Sequence, residues 1–143
     1  MEGASFLGFP NQQRYQRLRS KGKKMPRKKK IVAVDLFCGA GGLTKGFELA
    51  GIDVRLGIDA DPAARDTFIN NNKKTTFWCK KIEAVSGKEI LNFVKLQKDE
   101  LFLLAACAPC QPFSARNKKR LNADFVDERK NLLSCVIKII AGM

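Results

Sequence analysis

The sequence predicts an α/β fold: four strands of a mainly parallel, wound sheet with flanking helices. Three observations carry that expectation. Short apolar, β-branched runs alternate with stretches of helical periodicity along residues 31–143, the pattern of βα units. A glycine cluster, Gly39 to Gly42, follows the first apolar run directly. An acid, Asp59, closes the second. Ligands of such sheets bind outside the carboxyl ends of the strands, so both features fall on the binding rim.

The first strand is Ile31-Val32-Ala33-Val34, leading through Asp35-Leu36-Phe37 into Cys38-Gly39-Ala40-Gly41-Gly42. A helix follows with Leu43, Phe47 and Ala50 on one face, and Gly51 is its stop. Val54 to Ile58 reads as a second strand. Asp61-Pro62 places a cap before a first-turn proline, opening a helix to about Asn70. Thr75 to Cys79 reads as a third strand. Ser86-Gly87-Lys88-Glu89 is a capping box, and Ile90, Leu91 and Val94 face inward from the helix it starts. Leu101 to Ala106 is a fully apolar fourth strand, and a polar, basic loop runs from Ala108 to about Val126. Leu132, Leu133, Val136, Ile137 and Ile140 recur at helical spacing, with Gly142 as the stop.

The chain has 143 residues, 45% of them hydrophobic, which bounds it to one domain or part of one. The longest apolar run, Leu101 to Ala108, is far short of a membrane span, and the first residues lack a secretory layout. The formal charge is +13, and residues 1–30 hold ten basic residues against one acidic. That segment reads as a disordered basic tail, and residues 31–143 as the folded part. A basic tail suits polyanions such as nucleic acid, although a plain solubilising flank is equally consistent. Met25 is an alternative start to Met1. Five cysteines, an odd number without a signal peptide, point to free thiols in a reducing compartment: the cytoplasm, or the nucleus in a eukaryote. The absence of histidine removes Cys–His and Ser–His pairs and most zinc patterns, and no metal site is expected.

Two segments can carry chemistry. Gly39-x-Gly41-Gly42 turns between strand and helix where backbone must approach a ligand. Asp59 lies 20 residues past Gly39, where an acid can hold both hydroxyls of a ribose. Thr44 stands where a dinucleotide fingerprint needs its third glycine, which weakens an NAD reading. The second segment is Cys107-Ala108-Pro109-Cys110-Gln111-Pro112-Phe113-Ser114. Its Cys-x-x-Cys spacing is open to a thiol–disulfide reading. The other reading is a single nucleophile, Cys110, in a loop stiffened by Pro109 and Pro112, with Cys107 a packed small residue at the strand end.

Asp35-Leu36-Phe37-Cys38-Gly39-Ala40-Gly41-Gly42, followed by Pro109-Cys110-Gln111-Pro112-Phe113-Ser114, resembles the DNA cytosine-5 methyltransferase family from about Ile31 onward. The resemblance implies the first part of a Rossmann-like methyltransferase fold with S-adenosylmethionine as cofactor. It implies that Phe37 contacts the adenine, that Gly39, Ala40, Gly41 and Gly42 line the methionine end, and that Asp59 binds the ribose. Ile82, Pro109 and Leu132 also fall at cofactor positions, Leu132 after Asp127-Glu128-Arg129. Lys81 replaces the family's usual aspartate at the adenine amino group, and Cys107 replaces a common glycine. Gln111, Ser114, Arg116, Lys118, Lys119 and Arg120 fall on the nucleic-acid side. The family context is DNA methylation and restriction–modification, and the motifs do not separate DNA from RNA as substrate.

The implied chemistry fits a cysteine. Carbon 5 of cytosine is a poor nucleophile until a thiolate adds to carbon 6 and makes the ring enamine-like; loss of the carbon-5 proton later releases the enzyme. A free thiol titrates at about 8.5, so the site must favour or generate the thiolate. The target base must also leave the duplex, at a cost on the order of a few kcal/mol. The family's later motifs do not appear before Met143, among them the Glu-Asn-Val strand, the arginine motif and the target-recognition region. The resulting expectation is a fragment, truncated product or split subunit, inactive alone, with a second polypeptide supplying the rest. A non-catalytic nucleic-acid-binding remnant is the remaining alternative.

Overall fold

The computed structural model describes residues 29–109 and 131–143. The basic tail, but for its last two residues, and the segment 110–130 therefore lie outside the described residues. Strand β1 spans Lys30–Leu36, β2 Asp53–Asp59, β3 Thr76–Cys79 and β4 Glu100–Ala106. They form one parallel sheet in the order β3-β2-β1-β4. Helices α1 (Gly42–Leu49), α2 (Ala64–Asn71), α3 (Gly87–Val94) and α4 (Leu132–Ala141) flank it, with a short 3₁₀ turn at Ile82–Ala84. The expected α/β class and strand positions are therefore observed.

Central strand β1 is buried on both faces from Val32 to Leu36, which is why it reads as the apolar run Ile31–Val34 with Asp35 as its polar interruption. Val32, Val34 and Leu36 join Leu56 and Ile58 in a core closed by Ile82, Val85, Ile90, Val94, Val136 and Ile139. On the opposite side Phe68 of α2 is fully buried against Gly57. A Cβ at Gly57 would stand 2.5 Å from the Phe68 ring, so β2 needs glycine there. At the amino end of the sheet, Arg55 donates to Asp53, Glu100 and the Val94 carbonyl, tying β2, β4 and the end of α3.

Capping chemistry sets α3 as expected: Ser86 Oγ accepts from the Glu89 N–H at 3.1 Å. Asp61 Oδ1 accepts the Ala63 N–H at 2.9 Å, as a capping residue before Pro62 would, but the turn it opens closes by i→i+3 bonds, Ala64 N–H to the Asp61 carbonyl and Arg65 N–H to the Pro62 carbonyl, so α2 itself starts at Ala64. Two helix faces also differ from expectation. In α1 the buried residue is Thr44, while Leu43 is 43% exposed and Ala50 is exposed. The sheet beneath α1 presents the buried Asp35 carboxylate, which selects a hydroxyl; Thr44 Oγ1 donates to Asp35 Oδ2 at 2.7 Å. In α4 the buried residues are Val136 and Ile139, whereas Leu133, Ile137 and Ile140 are more than half exposed. The helix rests on the 3₁₀ turn and α3, and no described residue covers its far side.

Asp35 is fully buried and its second oxygen has no partner. Burial drives its pKa above 3.8, against the opposing pull of the Thr44 hydrogen bonds. The native state therefore binds this proton more tightly than the unfolded chain. The contribution is complete below the usual carboxylate value and fades as pH rises through the raised one. Asp35→Asn should remove that loss: its urea midpoint, relative to the parent chain, should climb as pH rises from about 4. A constant difference across that range would contradict the assignment.

Candidate cofactor cleft at the carboxyl rim

All four strands deliver their carboxyl ends to one rim. There β1 breaks into Phe37, whose φ is +60°, a left-handed conformation uncommon for a bulky side chain. Such strain costs of order 1–3 kcal/mol and concentrates at functional sites. The chain then crosses Gly39 (φ +50°) and Gly41 (φ +88°) before α1. A Cβ on Gly41 would clash with Asn72 Nδ2 and lie 2.8 Å from the Phe68 ring. Gly41 is thus the point where the turn presses onto α2.

Asp59, at the end of β2, locks this turn. Its Oδ2 accepts the Gly39 N–H at 2.7 Å and its Oδ1 accepts the Asp61 N–H at 2.9 Å. Each carboxylate oxygen has more than one acceptor site, so both retain capacity for a hydroxyl donor.

A cleft of about 360 Å³ opens beside Asp59. Phe37, Ile82, Pro109 and Leu132 line it with Asp59, so five of the nine positions assigned to the cofactor converge from β1, β2, the 3₁₀ turn, the segment after β4, and α4. The volume and the mix of apolar walls with a few polar groups suit a nucleoside-sized ligand. The other four positions form the adjoining turn: Gly39 is bonded to Asp59, Ala40 and Gly42 are exposed, and Gly41 is buried against α2. A larger recess of about 640 Å³, with Lys45, Lys73 and Lys74 in its wall, sits at the amino ends of the strands. Its position opposes the rim where parallel sheets bind ligands.

Cys107 is a correction. It is exposed and lines the cleft instead of packing inside: its N–H still reaches the Leu36 carbonyl at 3.3 Å, but it stands at the end of an edge strand, on the open rim. Lys80, Lys81, Asp61 and Glu83 also line the cleft. Of these, Lys81 departs from the resembled pattern; the others carry no motif, and only their position just after Asp59 or β3 marks them in the sequence. Cys110, Gln111, Ser114, Arg116, Lys118, Lys119 and Arg120 lie outside the described residues. No group of three or more metal-ligating side chains occurs among the described residues. Nor is any helix among them long and apolar enough to cross a membrane.

Cys38 differs from the exposed thiols. Burial first, then the carboxylates of Asp35 and Asp59, push its thiol far above the ordinary range. A brief iodoacetamide pulse on the native chain should label Cys79 and Cys107 while Cys38 reacts at least about tenfold more slowly, as peptide masses would show. Equal labelling of Cys38 would contradict its placement beneath the turn.

Residues 31–142 match the family model for the C-5 cytosine-specific DNA methylase. The type II methylase M.HgiDII of Herpetosiphon aurantiacus is 43% identical over 86 residues, covering 60% of this chain and 23% of that protein. The type II methyltransferase M.XorII of Xanthomonas oryzae is 33% identical over 109 residues, covering 76% of this chain and 25% of that protein. Among solved structures, an E. coli prophage protein described as a DNA modification methyltransferase superposes with a TM-score of 0.61 at 24% identity, over 79% of this chain and 29% of that one. The chain thus spans about a quarter of the length of the curated relatives it matches.

Proposed function

This chain belongs to the C-5 cytosine-specific DNA methylase family, and from that premise we propose that it forms the cofactor-binding and nucleophile-bearing part of an S-adenosylmethionine-dependent DNA cytosine-5 methyltransferase. The observation that carries the reading is the convergence of Phe37, Asp59, Ile82, Pro109 and Leu132 on one cleft at the carboxyl rim.

In this reading Asp59 holds the ribose hydroxyls with the acceptor capacity left after Gly39 and Asp61 are bound. Phe37, Ile82 and Leu132 supply apolar walls for the adenine, and the Gly39–Gly42 turn gives backbone access to the methionine end. When bound, S-adenosylmethionine supplies an electrophilic methyl group on a sulfonium. Cys110 follows Pro109, which lines the cleft, and acts as the nucleophile: its thiolate adds to carbon 6 of cytosine and so makes carbon 5 nucleophilic. The base is flipped from the duplex to reach it. Gln111, Ser114, Arg116, Lys118, Lys119 and Arg120 hold the nucleic acid around that base. The basic tail 1–30 adds salt-dependent attraction to phosphates, and the setting is cytoplasmic.

We further propose that the later motifs of the family reach this chain from additional polypeptide, in the same or a second chain. Relatives about three times as long support this. So do the outer edge of β4, which pairs with no described strand, and the exposed α4 stripe of Leu133, Ile137 and Ile140.

The cofactor assignment is tested by photo-crosslinking S-adenosylmethionine to the protein and mapping the labelled peptides. Label should fall on residues 31–42, 76–83 and around Pro109. Label at Lys45, Lys73 or Lys74 instead would place the ligand at the wrong end of the sheet and overturn the reading.

A further inference from the structure

The recess of about 640 Å³ at the amino ends of the strands, between the ends of α1 and α2, has no part in the cofactor reading. Its charged lining is Lys45, Glu48, Asp53, Lys73 and Lys74. Both carboxylates are already partnered. Glu48 accepts from Lys45 at 3.3 Å and from the Thr75 hydroxyl at 3.1 Å. Asp53 lies 2.8 Å from Lys30 and 3.0 Å from Arg55. Lys45 also donates to the Asn71 carbonyl at 3.2 Å, which ties α1 to α2. Lys73 and Lys74 have no hydrogen-bond or ion-pair partner among the described residues.

The backbone that carries these two lysines is fixed from below. They are the central residues of the turn Asn72–Thr75, closed by the Thr75 N–H to the Asn72 carbonyl at 3.0 Å. Both ends of the turn are buried. Asn72 Nδ2 donates to the Phe68 carbonyl at 3.1 Å, and Thr75 Oγ1 to the Val54 carbonyl at 2.8 Å. Two uncompensated ammonium groups thus stand side by side on an anchored turn. The basic surface continues into the tail. Lys30, paired with Asp53 in the recess wall, opens β1, and residues 1–28 directly upstream hold eight basic residues against one acidic. The opposite rim carries the other sign: Asp59, Asp61 and Glu83 line the cofactor cleft against Lys80 and Lys81. Among the described residues, the field that attracts a polyanion therefore centres on the amino rim and not on the cleft.

We propose that the amino rim, with Lys73 and Lys74 at its centre, is a second contact surface for duplex DNA, one that holds the sugar–phosphate backbone without reading sequence. Lysine only donates, and the exposed amides of Asn70 and Asn71 beside it add further N–H donors for phosphate oxygens. The seven residues of β1 separate the two rims by about 20 Å. A phosphate held here therefore belongs to a stretch of DNA other than the nucleotide at the cleft. The surface needs neither cofactor nor cytosine and stands independently of the cofactor assignment.

Fluorescence anisotropy of a short labelled duplex of A·T pairs only, titrated with the full chain between about 50 and 200 mM salt, tests this. Each lysine–phosphate contact contributes about 0.9 to the slope of log affinity against log salt. Lys73→Gln/Lys74→Gln should therefore lower the slope by about 2, and the affinity at the low-salt end by on the order of 10- to 100-fold. Both side chains are exposed and unbonded, so this variant should melt with the parent chain. Lys88→Gln/Lys138→Gln removes the same charge from the α3–α4 face and should leave the slope within about 0.5 of the parent value. Equal losses in the two variants would reduce the effect to net charge, and no loss in the first would leave the attraction to the tail alone; either result overturns the proposal. Failure of the parent chain to bind the duplex at low salt would overturn it as well, while leaving the cofactor assignment, which the crosslinking experiment tests, untouched.

Discussion

Replacing Gly41 by alanine is expected to destabilise the fold by about 3 kcal/mol or more. Two costs add. The residue sits at φ +88°, which an L side chain adopts only with strain, and the new methyl would meet Asn72 Nδ2 and the Phe68 ring. Neither neighbour can give way cheaply. Phe68 is fully buried against Gly57, and Asn72 is buried with its Nδ2 donating to the Phe68 carbonyl. Gly42→Ala is the matched control. Its Cβ would meet nothing within 4 Å, and the position opens α1, where alanine is the better helix former. Urea midpoints should fall sharply for the first variant and hold or rise for the second. Equal midpoints would mean that the turn is not pressed onto α2 as described.

Asp59→Ala should weaken S-adenosylhomocysteine binding about 100-fold or more. Hydrogen bonds to a charged group contribute roughly 1.5–3 kcal/mol each, and two ribose hydroxyls would lose theirs. The substitution also frees the Gly39 and Asp61 N–H groups that the carboxylate holds at 2.7 and 2.9 Å, so the glycine turn loses its anchor. Asp59→Asn keeps one acceptor oxygen and replaces the other by a donor; it should fall between the two. Calorimetry resolves the three proteins. A loss under about fivefold in the alanine variant would remove Asp59 from the cofactor site, since even one such bond is worth more.

Much of this arrangement is legible in the residues because each feature has a local cause. The double-sided burial of β1 appears as the apolar run Ile31–Val34, the Ser86 cap as a four-residue motif, and the close approach at Gly41 as a glycine cluster between strand and helix. The convergence of Phe37, Asp59 and Ile82 follows from strand ends alone, since a parallel sheet sends all of them to one rim. Other features depend on partners that sequence spacing does not reveal. Leu132 to Ala141 is apolar almost all round, so periodicity could not choose between the Val136/Ile139 stripe that packs and the Leu133/Ile137/Ile140 stripe that does not. Thr44 faces inward only because Asp35 lies beneath it. The left-handed backbone of Phe37 belongs to the path of the chain as it leaves the sheet, and the exposure of Cys107 to the open rim at the end of an edge strand; no residue type announces either.

The central proposal is that Cys110 forms a bond to carbon 6 of cytosine. The most direct measurement is intact and peptide mass spectrometry of the protein, together with the polypeptide carrying the family's later motifs, on DNA containing 5-fluorocytosine with S-adenosylmethionine. Fluorine at carbon 5 prevents the proton loss that frees the enzyme, so the adduct persists. The account predicts a covalent DNA adduct on the peptide containing Cys110, kept in Cys107→Ser and lost in Cys110→Ser. An adduct on Cys107, or none at all under conditions where the cofactor binds, would contradict it.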